Sequence, residues 1–301
     1  MVDFSKSDWQ QEFDEEQLHQ ILWGFEDNLT PEQIFLYADP KFNWNQMKQI
    51  RLGLEKDLTK DQVMMYADSK FNHDQMHEIR VGFEDGLTME QVAVYADQKL
   101  NDDQMQQIRL GLEKDLTMEQ IAVYADPKFS DNQMCQIRYG FENGLTKDQV
   151  MMYADSKFNH DQMHEIRVSF EDGLTMEQVA VYADSKFEWN QMQQIRLGLE
   201  NGLAIEQIAV YADPKFNWDQ MLEIRHGFRT GLTMKQISVY ADPKFDCTMM
   251  QEIRLVLEGK LSSVQKNQSS EGKPLSINDR LNALEAGRKL ASVTVKEDIE
   301  K

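Results

Sequence analysis

The tripeptide Tyr-Ala-Asp recurs along this chain at one fixed interval, and this periodicity constrains the fold more than any other feature of the sequence. Each copy begins 29 residues after the previous one, and an Ile-Arg pair keeps the same step from Ile50-Arg51 to Ile253-Arg254. A fixed period of this length is typical of repeat proteins, in which each repeat is one supersecondary unit stacked on its neighbours. The tripeptides begin at Tyr37, Tyr66, Tyr95, Tyr124, Tyr153, Tyr182, Tyr211 and Tyr240.

Each repeat is predicted to contain two short helices. A capping box from Thr88 to Gln91 begins the first helix, which is expected to end at about Asp97. The second helix begins at Asn101 and carries an apolar stripe in which Met105 is followed by Ile108 and Leu112. The second helices end at residues suited to a left-handed backbone, namely Asn28, Asp57, Gly86, Asp115, Gly144, Gly173, Gly202 and Gly231.

These signals predict an all-α fold, an α-solenoid of eight to nine stacked two-helix repeats. The repeat array is expected to occupy residues 1–261, with a half-repeat cap at about 13–29 followed by eight full repeats. A polar linker is predicted over 262–274 and a short C-terminal helix or disordered tail over 275–301.

Composition restricts the classes of function. The formal net charge of −20 repels a phosphate backbone, so direct binding of nucleic acid is disfavoured and a basic partner is favoured. Cys135 and Cys247 are the only cysteines, which suits a reducing compartment. Neither a signal peptide nor an apolar run of membrane-spanning length occurs, so the protein is expected to be cytoplasmic and without membrane contact.

Duplication within the chain argues against catalysis. The block Thr59–Asp97 recurs at Thr146–Asp184 with a single difference, Gly82 against Ser169. A catalytic site built from singular residues tolerates such copying poorly, whereas an extended binding surface does not depend on them. Because phosphate-binding loops and nucleophile motifs are also missing from the sequence, we predict no enzyme activity, no catalytic residue and no cofactor.

Residues that stay constant between repeats are predicted to be structural. Tyr95 supplies buried aromatic area, and Arg109 lies four residues before Glu113 on one helical face. A row of such arginines could instead bind anions, but acidic neighbours accompany nearly all of them; the exception is Arg225, which meets another arginine four residues later. Gly111 lies inside a helix, where glycine costs about 1 kcal/mol, and close approach of a neighbouring backbone would explain it.

Two positions of the second helix, spaced four residues apart, vary strongly between repeats. They share one helical face and form what we call the varied strip. Exposed tryptophans are typical anchors of protein interfaces, so the strip is predicted to bind a partner; solvated, unselected variation is the alternative. The candidate partner-binding residues are Trp44, His73, His77, Asp102, Asp131, His160, His164, Trp189, Trp218 and Leu222.

Two histidine pairs in the varied strip have the spacing of metal ligands. His73 with His77, and His160 with His164, are each four residues apart on one helical face. No third ligand is evident near either pair, and the intervening glutamate of a His-Glu-x-x-His motif is absent. Surface histidines without a metal are therefore the prediction.

The repeats resemble uncharacterised 29-residue α-helical repeat arrays encoded by mobile elements of gut Gram-positive bacteria. Segments such as Gly202–Leu232 carry the resemblance, which spans about residues 13–261, and the tail segment Lys273–Leu290 is more weakly similar to C-terminal segments of these proteins. The resemblance implies no enzyme activity.

The sequence thus predicts a scaffold that binds a protein or peptide through the extended surface of an acidic helical solenoid. The alternative is a DNA mimic, encoded by a mobile element, that inhibits a host DNA-binding or defence protein through its charge of −20. Binding by a mimic should weaken steeply with salt, whereas tryptophan-anchored binding should not.

Overall fold

The computed structural model describes residues 9–260 of the chain. The predicted linker, 262–274, and the predicted C-terminal segment, 275–301, lie outside the described residues. Between residues 9 and 260 the chain forms helices joined by turns, without any strand, after a single turn of 3₁₀-helix at Trp9–Glu12. No helix in this range is long and apolar enough to cross a bilayer.

Nine longer helices correspond to the predicted second helices of the repeats, and all but the last have 12 residues. These helices are α1 (Glu15–Glu26), α3 (Trp44–Glu55), α5 (His73–Glu84), α7 (Asp102–Glu113), α9 (Asp131–Glu142), α11 (His160–Glu171), α13 (Trp189–Glu200), α15 (Trp218–Arg229) and α17 (Cys247–Leu257). The helix predicted to begin at Asn101 begins at Asp102, with Asn101 as its N-cap.

Eight short helices alternate with the longer ones over the same residues, which confirms the predicted all-α fold. They are α2 (Pro31–Ile34), α4 (Lys60–Met64), α6 (Met89–Ala93), α8 (Met118–Tyr124), α10 (Lys147–Met151), α12 (Met176–Val179), α14 (Ile205–Ile208) and α16 (Met234–Ile237). The short helices are shorter than predicted. The expected end near Asp97 is replaced by an end at Ala93, because the Tyr95 amide bonds to the Val92 carbonyl at 3.1 Å and the chain tightens into a turn.

The predicted capping signals are present at both ends of the longer helices. In α7 the Asn101 carboxamide oxygen accepts a hydrogen bond from the Gln104 amide at 2.8 Å, and the Gln104 side chain accepts one from the Asn101 amide at 2.9 Å. After the helix, Asp115 has a φ of 61° and Leu116 donates to the Gly111 carbonyl at 3.0 Å. This closing bond satisfies a carbonyl that the helix itself leaves without a partner.

The described chain divides into two compact units, residues 9–176 and 177–260. In the first unit, α1, α3, α5, α7, α9 and α11 pack in series, each helix against the next. In the second unit α13 packs against α15, and α15 packs against α17. Short helices pack beside the longer helix that precedes them, for example α4 beside α3 and α16 beside α15.

The core repeats with the helices. In each repeat a methionine and an isoleucine of the longer helix are almost entirely buried, as Met105 and Ile108 are, and the tyrosine after the short helix is fully buried, as Tyr95 is. Burial raises the pKa of the Tyr95 phenol. Since every interior surface is formed between adjacent helices, no single repeat encloses a core.

The glycine within the longer helices has a different cause from the predicted one. Gly111 approaches the hydroxyl group of Tyr124, and not a neighbouring backbone: a Cβ at Gly111 would overlap that hydroxyl. The same hydroxyl points to the Gln107 carbonyl at 3.4 Å. Val256 stands in the equivalent position of α17, and no further Tyr-Ala-Asp copy follows it in the sequence to require the space.

Candidate partner-binding surface

In seven of the longer helices, α3, α5, α7, α9, α11, α15 and α17, the constant arginine is buried and bonds to the preceding longer helix. Arg109 on α7 donates through Nε to Glu78 on α5 at 2.9 Å, and it also pairs with Glu113, as predicted. The sequence predicted only the pair within one helix. In each of these helices the arginine Nε donates a hydrogen bond to the side chain of the residue 31 positions earlier. These acceptors are Gln20, Gln49, Glu78, Gln107, Gln136, Gln194 and Glu223.

The capping glutamine of seven longer helices has a second role that the sequence did not reveal. While the Gln104 Oε1 atom accepts the capping bond, the Nε2 atom donates to the Phe129 carbonyl of the next repeat at 2.6 Å. The same bond to a carbonyl 25 residues later is formed by Gln17, Gln46, Gln75, Gln133, Gln191 and Gln220. These amides therefore connect adjacent repeats as well as capping helices.

The varied strip lies at the surface in both units. Its tryptophans are the first residues of α3, α13 and α15, and Trp44, Trp189 and Trp218 are 38 %, 42 % and 41 % exposed. None of the other candidate residues is buried. His77, His160 and His164 are exposed, whereas His73, Asp102, Asp131 and Leu222 are half-buried.

The strip histidines contact neighbouring charged groups. Nδ1 of His77 lies 2.9 Å from an Arg80 guanidinium nitrogen, and Nδ1 of His164 lies 3.0 Å from one of Arg167. Because arginine can only donate, Nδ1 is the acceptor in each of these contacts. Within residues 9–260, no group of three or more His, Cys, Asp and Glu side chains is arranged to hold a metal ion.

Carboxylates accompany the strip. The residue after the first strip position is an exposed aspartate at Asp74, Asp103 and Asp161, and a half-buried one at Asp219. In the second unit a small cleft of about 90 Å³ between α15 and α17 is lined in part by Leu222 and Gln251. The strip therefore combines large apolar side chains with negative charge.

A second exposed apolar set lies on the short helices and was not predicted. Six methionines are between 39 % and 53 % exposed, namely Met64, Met89, Met118, Met151, Met176 and Met234. Met64 and Met151 end their short helices, whereas the other four occupy the first position, where Met alternates with Lys, Pro and Ile between repeats. A core position would not accept that range of side chains.

Comparison with known proteins adds no relative. Neither a protein-family model, nor a curated protein, nor a solved structure gives a significant match to this chain. The resemblance to repeat arrays of bacterial mobile elements therefore stays a prediction.

Proposed function

We propose that this chain is a cytoplasmic, non-enzymatic scaffold that binds a protein or peptide, and that each compact unit is a segment of an α-solenoid of 29-residue repeats. The supporting observation is the exposure of Trp44, Trp189 and Trp218 at the surface, each as the first residue of a longer helix. A large aromatic side chain that is exposed at the surface is typical of an interface anchor.

The bonding of the constant residues supports this proposal. Arginine, glutamine and tyrosine side chains of the repeat are used in bonds between adjacent repeats, as Arg109, Gln104 and Tyr124 illustrate. The residues of the varied strip are not part of this set of bonds between repeats. Their side chains can change without loss of the fold, so they are available to select a partner.

Charge determines the expected chemistry of the partner. With 52 acidic and 32 basic side chains, the surface attracts a cationic face. Tryptophan adds stacking and cation–π contact with lysine or arginine, worth about 0.5–1 kcal/mol at an exposed site. We therefore expect a partner segment with basic and apolar residues side by side.

The experiment is affinity capture from a lysate of the native host with wild-type protein and the triple variant Trp44→Ala, Trp189→Ala and Trp218→Ala. Loss of an interface anchor typically costs about 2 kcal/mol, or roughly 30-fold in affinity. The matched control replaces Met89, Met118 and Met234 with alanine, since these side chains are similarly exposed but lie on the short helices.

Loss of the same proteins in the tryptophan variant, with retention in the methionine variant, supports the proposal. Capture that is unchanged in the tryptophan variant would show that the strip does not bind. DNA mimicry, the alternative that the charge of −20 favours, predicts a different pattern: capture that is lost at high salt and competed by duplex DNA, and that is insensitive to the tryptophan changes.

A further inference from the structure

One longer helix departs from the pairing of the constant arginine. Elsewhere in residues 9–260 a glutamate four residues later pairs with the arginine, whereas α15 has Arg229 at that position after Arg225. The pairs of the other helices are Arg51–Glu55, Arg80–Glu84, Arg109–Glu113, Arg138–Glu142, Arg167–Glu171, Arg196–Glu200 and Arg254–Glu258.

The other usual partners of this arginine are replaced as well. Three residues earlier, where Arg80 and Arg138 contact His77 and Cys135, α15 has the apolar Leu222. Twenty-four residues earlier, where Arg51 and Arg109 find Asp27 and Asp85, the residue is the neutral Asn201. Among the described residues, no carboxylate forms an ion pair with Arg225.

Arg225 is nevertheless as buried as its equivalents. Its side chain keeps the Nε bond to Gln194 at 3.1 Å, and the residue is only 8 % exposed. Burial, followed by the charge of Arg229, lowers the pKa of the Arg225 guanidinium, in contrast to Arg109, whose pKa is raised by its acidic partners. A desolvated cation without a counter-charge is unfavourable, and an external anion would relieve it without a further desolvation of the arginine.

The sequence places this cation in line with the varied strip. Trp218, Leu222, Arg225 and Arg229 follow one another at intervals of four, three and four residues, which is a single face of a helix. Two apolar side chains are thus followed by two cations along α15. No other longer helix has this combination.

We propose that Arg225 and Arg229 form a binding site for a carboxylate group. The terminal guanidinium nitrogens of Arg225 would donate to it as they donate to the helix's own glutamate in the other repeats, and Arg229 supplies the second charge. A carboxylate is favoured over phosphate because seven equivalent arginines already bond to one, and because a net charge of −20 repels a doubly charged anion more strongly.

The carboxylate is assigned to an acidic residue of the partner, a step that rests on the proposed function. An acidic residue beside the apolar contacts to Trp218 and Leu222 would fix the register of a mostly basic segment on α15. At Asp102 and Asp131 of the strip the same acidic residue would be repelled, so the site favours the alignment on α15.

The anion affinity of the site can be tested without any partner. Acetate is titrated into the isolated full-length chain at constant ionic strength, and the NMR signals of the arginine Nε–H groups are followed, with Arg225→Lys identifying the Arg225 signal. One charge-assisted interaction predicts a saturable shift with a dissociation constant of roughly 10–100 mM. Inorganic phosphate is titrated in a parallel series.

Three variants separate the site from general charge effects. Arg229→Glu restores the usual pair and should weaken acetate binding at least tenfold while raising the thermal midpoint. Lys244→Glu changes the net charge equally on an exposed loop of the same unit and should leave binding intact. Glu142→Arg removes the partner of Arg138, whose Nε bond to Gln107 matches that of Arg225, and should create a second acetate response.

Equal acetate responses in the wild type and Arg229→Glu would overturn the proposed site, and tighter binding of phosphate than acetate would overturn its assignment to a carboxylate. Because these titrations contain no partner, a negative result would refute the anion site without bearing on whether the varied strip binds proteins in the capture experiment. If Glu142→Arg does not fold, the comparison of Arg229→Glu with Lys244→Glu still decides the outcome.

Discussion

The capping glutamines offer a direct test of how adjacent repeats are held together. Gln104 on α7 and Gln120 on α8 both accept a backbone amide in a capping box, from Asn101 at 2.9 Å and from Thr117 at 2.8 Å. Only Gln104 also donates to the next repeat, to the Phe129 carbonyl at 2.6 Å. The same substitution at the two positions therefore isolates the bond between repeats.

Glutamate is the most informative replacement, because it keeps the capping acceptor and loses only the amide donor. Gln104→Glu removes a buried hydrogen bond, places a carboxylate oxygen against the Phe129 carbonyl, and should destabilise the fold by about 2–4 kcal/mol. Gln120→Glu should change the free energy of unfolding by at most about 0.5 kcal/mol, since the helix N-terminus favours the added charge. Gln104→Ala should lower the free energy of unfolding by about 2 kcal/mol, and Gln120→Ala should lower it by about 1 kcal/mol.

Equilibrium urea unfolding followed by helical circular dichroism measures the four free energies, and hydrogen exchange locates the loss. Because the Gln104 bond joins α7 to the turn before α9, faster exchange in Gln104→Glu should appear first in those two helices. Equal destabilisation by Gln104→Glu and Gln120→Glu would show that the bond between repeats contributes nothing beyond the cap, and the proposed connection by glutamine would be wrong.

Two further predictions concern the core and the end of the array. Gly140→Ala places a methyl group against the Tyr153 hydroxyl and should lower the free energy of unfolding by about 1–2 kcal/mol. Adding Tyr153→Phe removes that hydroxyl and should restore most of the lost stability. Gly144→Ala is the control: it is strained by a φ of 84° but has open space around it, so Tyr153→Phe should restore nothing. The pKa of the Glu258 carboxyl, although raised by burial, is held at about 2 by hydrogen bonds from Lys260, Thr230 and Arg254, against an ordinary value of 4.5. The ionised carboxylate therefore stabilises the fold above pH 4.5, and this stabilisation is lost as the pH falls towards 2. The difference in free energy of unfolding between wild type and Glu258→Gln should shrink over the same range. A difference that does not change with pH would contradict the pairing.

Local signals in the sequence predicted the helices well. The N-caps, such as Asn101, and the left-handed ends, such as Asp115, match the structure because a cap depends on bonds within about five residues. The end of the short helix was predicted less well. Whether the chain continues as a helix past Ala93 depends on how Tyr95 is buried against the preceding longer helix, and no local pattern contains that information.

Bonds between repeats were mostly missed, for a related reason. Arg109 was paired with Glu113 from the spacing of four residues, but its bond to Glu78 spans 31 residues, and the bond of Gln104 to Phe129 spans 25. Which residues so far apart in the sequence come into contact depends on how one repeat packs on the next. The exposure of the candidate strip was predictable from its variation, and the same signal was available for the methionines at the first position of the short helices.

Bonding between repeats also explains which positions vary. A constant side chain such as Gln104 serves two repeats at once, so its loss damages two structural elements, whereas Trp44 serves neither and can differ freely between repeats. Arg225 belongs to a third class. Its Nε still bonds to Gln194, but the glutamate that pairs with the other constant arginines is replaced by Arg229. A repeat array can therefore acquire a binding group by changing the partner of a fixed residue, which leaves the framework intact and an already desolvated charge without its counter-charge. Constant positions with altered partners are thus as informative about function as the variable positions themselves.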